Sequence, residues 1–234
     1  MFVHTHPYQP FVFSGMEKII VGTLPPPRFS TGALREGDVN FCYGSRDGQL
    51  WPILDRIFDL NLKFETSEEA ITQRKKFLLD RKIGICDIVA SARRNKIDAS
   101  DLGMFDVALR DVVGHLYRFP SVHTLLFTGG NSKNGPEYFF RRHLKTYGRS
   151  LNIVSNTIPR IHEFQLPERL VNDANDDLSN ADKGGRMIRT VSLTAPSGAA
   201  NRAVGSLQAY KLLKQQNPSF NTVEFRVMQY QKFF

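Results

Sequence analysis

Cysteine is almost absent: Cys42 and Cys86 are the only two in 234 residues. Two thiols are too few for a disulfide framework, a four-thiolate zinc site or a four-cysteine iron–sulfur cluster, and they suit a reducing compartment. No apolar run approaches the roughly 20 residues that cross a bilayer. The opening residues, MFVHTHPYQP, hold neither a basic n-region nor an apolar h-region. A soluble, cytoplasmic protein without membrane association is therefore expected. His4 and His6 have no third or fourth ligand at supporting spacing, so no metal and no cofactor are expected. The G-x-G-x-x-G turn of dinucleotide-binding domains and the G-x-S-x-G elbow of serine hydrolases are both missing.

What is present suits a globular chain. Hydrophobic residues make up 41% and charged residues 23%, enough apolar surface to offset the entropy of ordering the chain. The length suits one large domain over 1–234, and a monomer is expected. A formal charge of +8 sets up a positive field that attracts polyanions.

Short apolar runs alternate with helical patterns. Residues 18–22 read as a buried strand that stops at Gly22, before a rigid Leu24-Pro25-Pro26-Pro27 turn. Residues 28–50 follow as a long, glycine-rich loop. A helix is predicted from Trp51 to Leu60, and a second, capped by Thr66 and Glu69, runs to about Arg81. Ile83 to Val89 reads as the next strand, and Phe105 to Tyr117 carries a helical face. Residues 123–128 are a third strand, followed by a Gly129-Gly130-Asn131 turn and a helix opened by Pro136. Strands are expected over 151–155 and 187–193, with a polar surface loop at 172–186 between them. A helix is predicted over 200–213, and the aromatic tail 220–234 suits either a helix or an edge strand. This alternation predicts a three-layer α/β/α fold with a mostly parallel sheet of four to five strands, whose ligands sit beyond the strand carboxyl ends.

Three strand ends deliver unusual turns: Gly22 to Pro27, Cys86 to Ser91 and Leu193 to Gly198. In a parallel sheet all three meet at one rim. The first turn, with Phe41-Cys42-Tyr43-Gly44-Ser45-Arg46-Asp47-Gly48 and Trp51-Pro52 after it, resembles the first motif of the uracil-DNA glycosylase superfamily, especially its mismatch-specific and hypoxanthine-acting branches. Ile83 to Asp98 resembles the family's second conserved strand and loop, and Ala195-Pro196-Ser197-Gly198-Ala199-Ala200-Asn201 its late proline–serine turn. Leu24 stands where active members carry Asp, Asn or Glu; Ala195 and Ala199 stand where many carry His or Asn and a bulky wedge.

The resemblance implies a DNA base-excision glycosylase that flips a deaminated or mismatched base (uracil, hypoxanthine or xanthine) into a pocket and hydrolyses its N-glycosidic bond. The alternative is a member that has lost the catalytic acid and binds DNA or a modified base without excising it. An enzyme of free nucleosides or nucleotides is a third reading.

Asp47 is the candidate water activator, with Thr23 beside it, although a solvated or helix-capping aspartate suits that position too. Leu24, Tyr43, Asp87 and Asn131 are the base-binding candidates. Tyr43 suits either stacking on the base or packing under its loop. Asp87 suits either accepting from the base or pairing with Arg93 or Arg94. Asn131 suits a tight turn or a phosphate contact. Ser197, Gly198, Asn201, Arg202, Arg46 and Arg93 are the candidates for gripping the DNA, with helix capping as the other role for Ser197 and Asn201. Arg28, Arg35, Arg46, Arg93, Arg94, Lys96 and Arg202 are expected in loops on the active rim.

Overall fold

The structure is a computed structural model that describes residues 1–98, 100–168 and 185–234. Residues 172–184 of the predicted surface loop lie outside this range.

Four short apolar runs form the parallel heart of a six-stranded sheet. These are β2 (Lys18–Val21), β3 (Ile83–Ile85), β6 (Thr124–Phe127) and β9 (Arg186–Ser192), in the order β3-β2-β6-β9. Two further strands, β8 (Arg160–Leu166) and β7 (Asn152–Ser155), extend it antiparallel beyond β9. The sheet thus has more strands than the four to five expected. The strand absent from the sequence reading is β8, whose inward positions are His162, Phe164 and Leu166. A buried histidine in the alternation hides its period of two.

Alternation on the central strands builds two cores. Ile19, Val21, Leu125 and Phe127 face one side, against Val112, Val113 and Leu116 of α4 (Val112–Arg118) and Phe139, Phe140 and Leu144 of α5 (Pro136–Thr146). Ile20, Leu126 and Val191 face the other, against α2 (Leu50–Phe58) and α3 (Glu68–Asp80). This is the three-layer arrangement that doubly covered parallel strands require. Ser67, one residue after the expected Thr66, caps α3 by accepting from the Ala70 amide at 3.2 Å.

Two predicted elements divide differently. The run from Ile83 ends at Ile85, the chain turns at Asp87, and β4 (Val89–Arg94) joins a separate antiparallel sheet of order β1-β4-β5 with β1 (Phe2–Thr5) and β5 (Phe105–Leu109). The predicted helix over 105–117 is therefore half strand. Phe105, Val107 and Leu109 follow period two, and only Val112, Val113 and Leu116 belong to a helical face.

Toward the end of the chain, the helix expected over 200–213 is two helices, α6 (Asn201–Ser206) and α7 (Gln208–Gln216), broken at Leu207, whose backbone is extended. The tail is a helix, α8 (Thr222–Tyr230). Asn221 accepts from the Val223 and Glu224 amides, and Glu224 accepts from the Asn221 amide, which satisfies the free donors of its first turn. Among the described residues no helix is long and apolar enough to cross a membrane.

The single tryptophan joins the loop before it to this core. Trp51 is buried, its ring packs near Phe41 and Phe77, and its indole N–H donates to the Cys42 carbonyl at 2.8 Å. Trp51→Ala should lower the unfolding free energy by about 3–5 kcal/mol, measured by urea denaturation, because a large cavity opens and a buried carbonyl loses its donor.

Candidate functional site

The chain leaves β2 toward β3 on one side and β6 toward β9 on the other, so a crevice opens where β2 and β6 lie side by side. Gly22 ends β2 there. A side chain on Gly22 would collide with the Tyr43 hydroxyl, and its Cβ would lie 2.8 Å from Asp87 Oδ1 and 2.9 Å from Thr128 Oγ1. Glycine is needed because three polar side chains converge on that backbone.

Asp87 is the centre of this convergence. Its Oδ1 accepts from the Gly22 amide at 2.7 Å and from the Tyr43 hydroxyl at 2.6 Å, and its Oδ2 lies 2.9 Å from His6 Nε2. The Tyr8 amide donates to His6 Nδ1 at 3.1 Å, so Nδ1 is the acceptor and Nε2 carries the proton that it gives to Asp87. A carboxylate only 5% exposed is thereby satisfied. Its partners are His6, Tyr43 and Gly22, which removes the alternative of pairing with Arg93 or Arg94. Arg94 is buried at the end of β4, donating to His4 Nδ1 at 2.9 Å and to the Ser100 carbonyl at 2.7 Å. Burial, with the Asp87 charge beside it, pushes the Tyr43 phenol well above its ordinary value, so it remains an O–H donor. Tyr43 holds a left-handed backbone (φ 59°), which turns its ring into the crevice wall.

A cavity of about 400 Å³ opens at this point. Its wall comprises Thr23 to Pro26, Tyr43, the loop Asp47 to Leu50, Asp87, Asp101, Thr128 and the turn Ala195 to Ala199. The first, second and last of the predicted turns therefore do meet at one rim. The late turn is locked to the long loop by a Gly48–Ser197 bridge and by the Gln49 amide donating to the Pro196 carbonyl at 2.8 Å. Helix α8 supports it from behind. Buried Arg226 donates to the carbonyls of Ala195 (2.9 Å) and Ser197 (3.0 Å) and to Asn201 Oδ1 (2.9 Å), and Tyr230 donates to the Thr194 carbonyl at 2.9 Å.

The segment 28–50, expected as one long loop, begins with a helical turn, α1 (Arg28–Thr31), ends in the first residue of α2, and is organised around a second buried carboxylate. Asp38 is fully buried and accepts from Arg28 Nε and Nη2 and from the Arg46 amide, each at 2.8 Å, and from the Arg35 amide at 2.9 Å. Burial alone would raise its pKa, but the Arg28 hydrogen bonds and the two backbone amides outweigh it and hold the carboxyl at about 2. Asp47 lies on the mouth of the cavity with its side chain 68% exposed, 3.4 Å from Arg28 Nη2.

The remaining candidates are spread more widely. Leu24 is part of the cavity wall and is largely buried. Ser197 and Gly198 line the cavity, and the Ser197 side chain makes no capping bond. Asn131 lines an adjoining cavity of about 500 Å³ that shares Asp101, Thr128 and Ala195 with the first. Asn201 faces α8, bound to Arg226 and Thr222.

The expectation that seven cations sit in rim loops is corrected in part. Arg93 and Arg94 are on β4, where Arg93 is exposed and lies 3.7 Å from Asp106. Arg28 is on α1 (Arg28–Thr31), neutralised by Asp38, and Arg202 is exposed on α6. Arg35, Arg46 and Lys96 are exposed in loops, and Arg46 donates to the Glu36 carbonyl at 3.1 Å.

Sequence reasoning missed Asp101, His6 and Arg226. The first had a signal, an Asp98-to-Asp101 stretch directly after the second resembling segment; His6 drew attention only as a metal ligand. Among the described residues no group of three or more His, Cys, Asp or Glu is placed to hold a metal ion.

The fold and crevice define the class: an α/β protein with a mostly parallel sheet and a ligand-sized cavity at its switch point. No protein-family model and no curated protein matches the chain. Among solved structures, the solution NMR structure of a candidate uracil DNA glycosylase from Methanosarcina acetivorans matches 86% of this chain and 89% of its own, with 15% identity and a TM-score of 0.49.

Asp38→Ala should destabilise the protein by about 3–5 kcal/mol in urea denaturation, because the half-buried Arg28 loses its bidentate partner and the Arg35 and Arg46 amides lose their acceptor. The stabilisation from Asp38 should be complete above the ordinary carboxylate range and disappear as pH falls toward about 2, since the folded state holds this carboxyl below its unfolded value. Gly22→Ala should displace Tyr43 and Asp87, visible as a loss of near-ultraviolet tyrosine dichroism.

Proposed function

We propose that this chain is a DNA glycosylase that draws a deaminated or mismatched base out of the stack and hydrolyses its bond to the sugar. The observation that carries the reading is the cavity itself: segments from residues 23, 43, 87 and 195 onward close around a space in the range that holds small ligands, about 300–1,000 Å³. Its wall combines an aromatic ring, carboxylates and a serine–glycine turn, the chemistry needed to stack, read and anchor a nucleotide.

Within this reading Tyr43 stacks on the extruded base, a contact of roughly 1–3 kcal/mol. Asp87 has three donors from the protein on about four lone-pair positions, leaving one acceptor for a ring N–H or exocyclic amine of the base. Thr23 and Leu24 also line the cavity. Asn131, in the adjoining cavity, meets the neighbouring nucleotide. Ser197 and Gly198, with exposed Arg46 and Arg202, face the phosphates, and Arg93 on its strand attracts the duplex at longer range. Asn201 serves indirectly, by fixing the late turn through Arg226.

A second reading, DNA binding without excision, is favoured by the position of Asp47, whose exposed side chain pairs with Arg28 at the cavity mouth, and by the apolar Leu24. Incubation with oligonucleotides bearing uracil, hypoxanthine or xanthine, followed by alkali, separates the two. Strand cleavage at the modified position supports excision, whereas salt-sensitive binding with intact strands supports the second reading. Binding that barely responds to salt would contradict both. Tyr43→Ala should weaken affinity for the modified oligonucleotide by about 10-fold to 100-fold, while Tyr43→Phe, which retains the ring, should lose far less.

A further inference from the structure

Three carboxylates line the cavity, and their surroundings sort them. Asp87 is occupied by three protein donors. Asp47 is two-thirds exposed and sits beside Arg28, so water and a cation weaken any field it projects. Asp101 differs from both. It opens a short 3₁₀ turn (Asp101–Gly103) after β4 and lies on the wall shared by the two cavities.

The backbone of this turn is held from two sides. Asn134, itself buried, donates to the carbonyls of Asp101 (2.9 Å) and Met104 (2.8 Å), and Arg94 donates to the Ser100 carbonyl at 2.7 Å. The side chain is aimed by the Thr23 hydroxyl, which donates to Oδ1 at 2.8 Å. Among the described residues no hydrogen bond engages Oδ2. A cavity-lining carboxylate with one oxygen fixed by Thr23 and the other free of protein hydrogen bonds is arranged to take a proton from something that enters.

Resting on the glycosylase reading, we propose that Asp101, oriented by Thr23, is the catalytic residue that activates the attacking water, in place of the acidic side chain that Leu24 does not supply. The step balances as a hydrolysis. The bond from C1′ to the base nitrogen breaks, and its electron pair leaves with the base. The oxygen of a water molecule bonds to C1′, and one water proton passes to Asp101 Oδ2. The departing base takes a proton from solvent, and Asp101 returns its own to solvent, leaving a free base and an abasic sugar. Thr23 is a positioning residue, since its hydroxyl acts through the carboxylate.

The electrostatics fit the task. Desolvation raises the Asp101 carboxyl to about 6, against the lowering effects of the Thr23 hydrogen bond and of Arg94 on β4, while Asp87 at the end of β3 raises it further. A general base is most effective when it titrates near the working pH. Because the folded state holds this carboxyl above its unfolded value, ionising it works against folding. Stability from this group declines as pH rises from the ordinary carboxylate range to about 6, and is level above that.

The test is single-turnover release of uracil, hypoxanthine or xanthine from an oligonucleotide, followed from about pH 5 to pH 8 across the carboxyl's titration. The wild type should show a rate that rises through about pH 6. Asp101→Asn, nearly isosteric, should cut the rate by about 100-fold or more and remove that rising limb. Its DNA affinity should be unchanged and its melting temperature at neutral pH equal or higher, so the loss is not unfolding. Thr23→Val should move the limb to higher pH, because the hydrogen bond that favours the charged form is gone. Asp101→Asn with wild-type rates, or with reduced rates and the limb intact, would overturn the role of Asp101 while leaving the glycosylase reading in place. A wild type that releases none of the three bases would overturn the glycosylase reading and this role together.

Discussion

The Asp87 carboxylate joins parts of the chain that share no sequence neighbourhood. Through the Gly22 amide it holds the end of β2, through the Tyr43 hydroxyl the long loop, and through His6 the segment that follows β1. It stands at the point where the chain leaves the large sheet and enters the small one. A buried carboxylate is tolerated only when donors surround it, so the position of each donor is constrained by the others. The crevice inherits its shape from this constraint, because Tyr43 and the β2 turn are two of its walls.

Asp38 and Arg226 extend the same logic outward. The segment 28–50 has little periodicity, yet four donors on Asp38 give it a single path. Arg226 does the converse for the late turn, supplying donors from α8 to the Ala195 and Ser197 carbonyls. Irregular backbone is thus made rigid by buried charge, from within the segment at Asp38 and from a helix behind it at Arg226, which is how a site built on loops acquires fixed geometry.

Much of the scaffold was legible. The apolar runs at 18–22 and 123–128 became β2 and β6 because both faces of a central parallel strand are covered, which leaves an unmistakable pattern, and the run at 187–193 became β9, whose first half alternates buried with exposed. The half-exposed strands were harder. β4 and β5 mix arginine, serine and aspartate with their apolar residues, and β5 runs so close to α4 that the two periods merged into one apparent helix. The tail resisted assignment for a similar reason: its aromatics suit either element, and the Asn221–Glu224 cap only becomes decisive once it forms.

By itself the sequence determined the alternation of strands and helices, the abrupt turns at strand ends, and which chemically useful side chains those turns carry, because periodicity and turn chemistry are local properties. The tertiary structure decided what each carboxylate can do. Arg93 and Arg94 are near Asp87 in sequence, but its partner is His6, 81 residues away. Asp47, the acid that local spacing favoured, sits at the solvent edge, whereas Asp101, which spacing passed over, lines both cavities. Solvation and hydrogen bonding set the behaviour of a charged group, and both depend on neighbours that only the folded chain brings together.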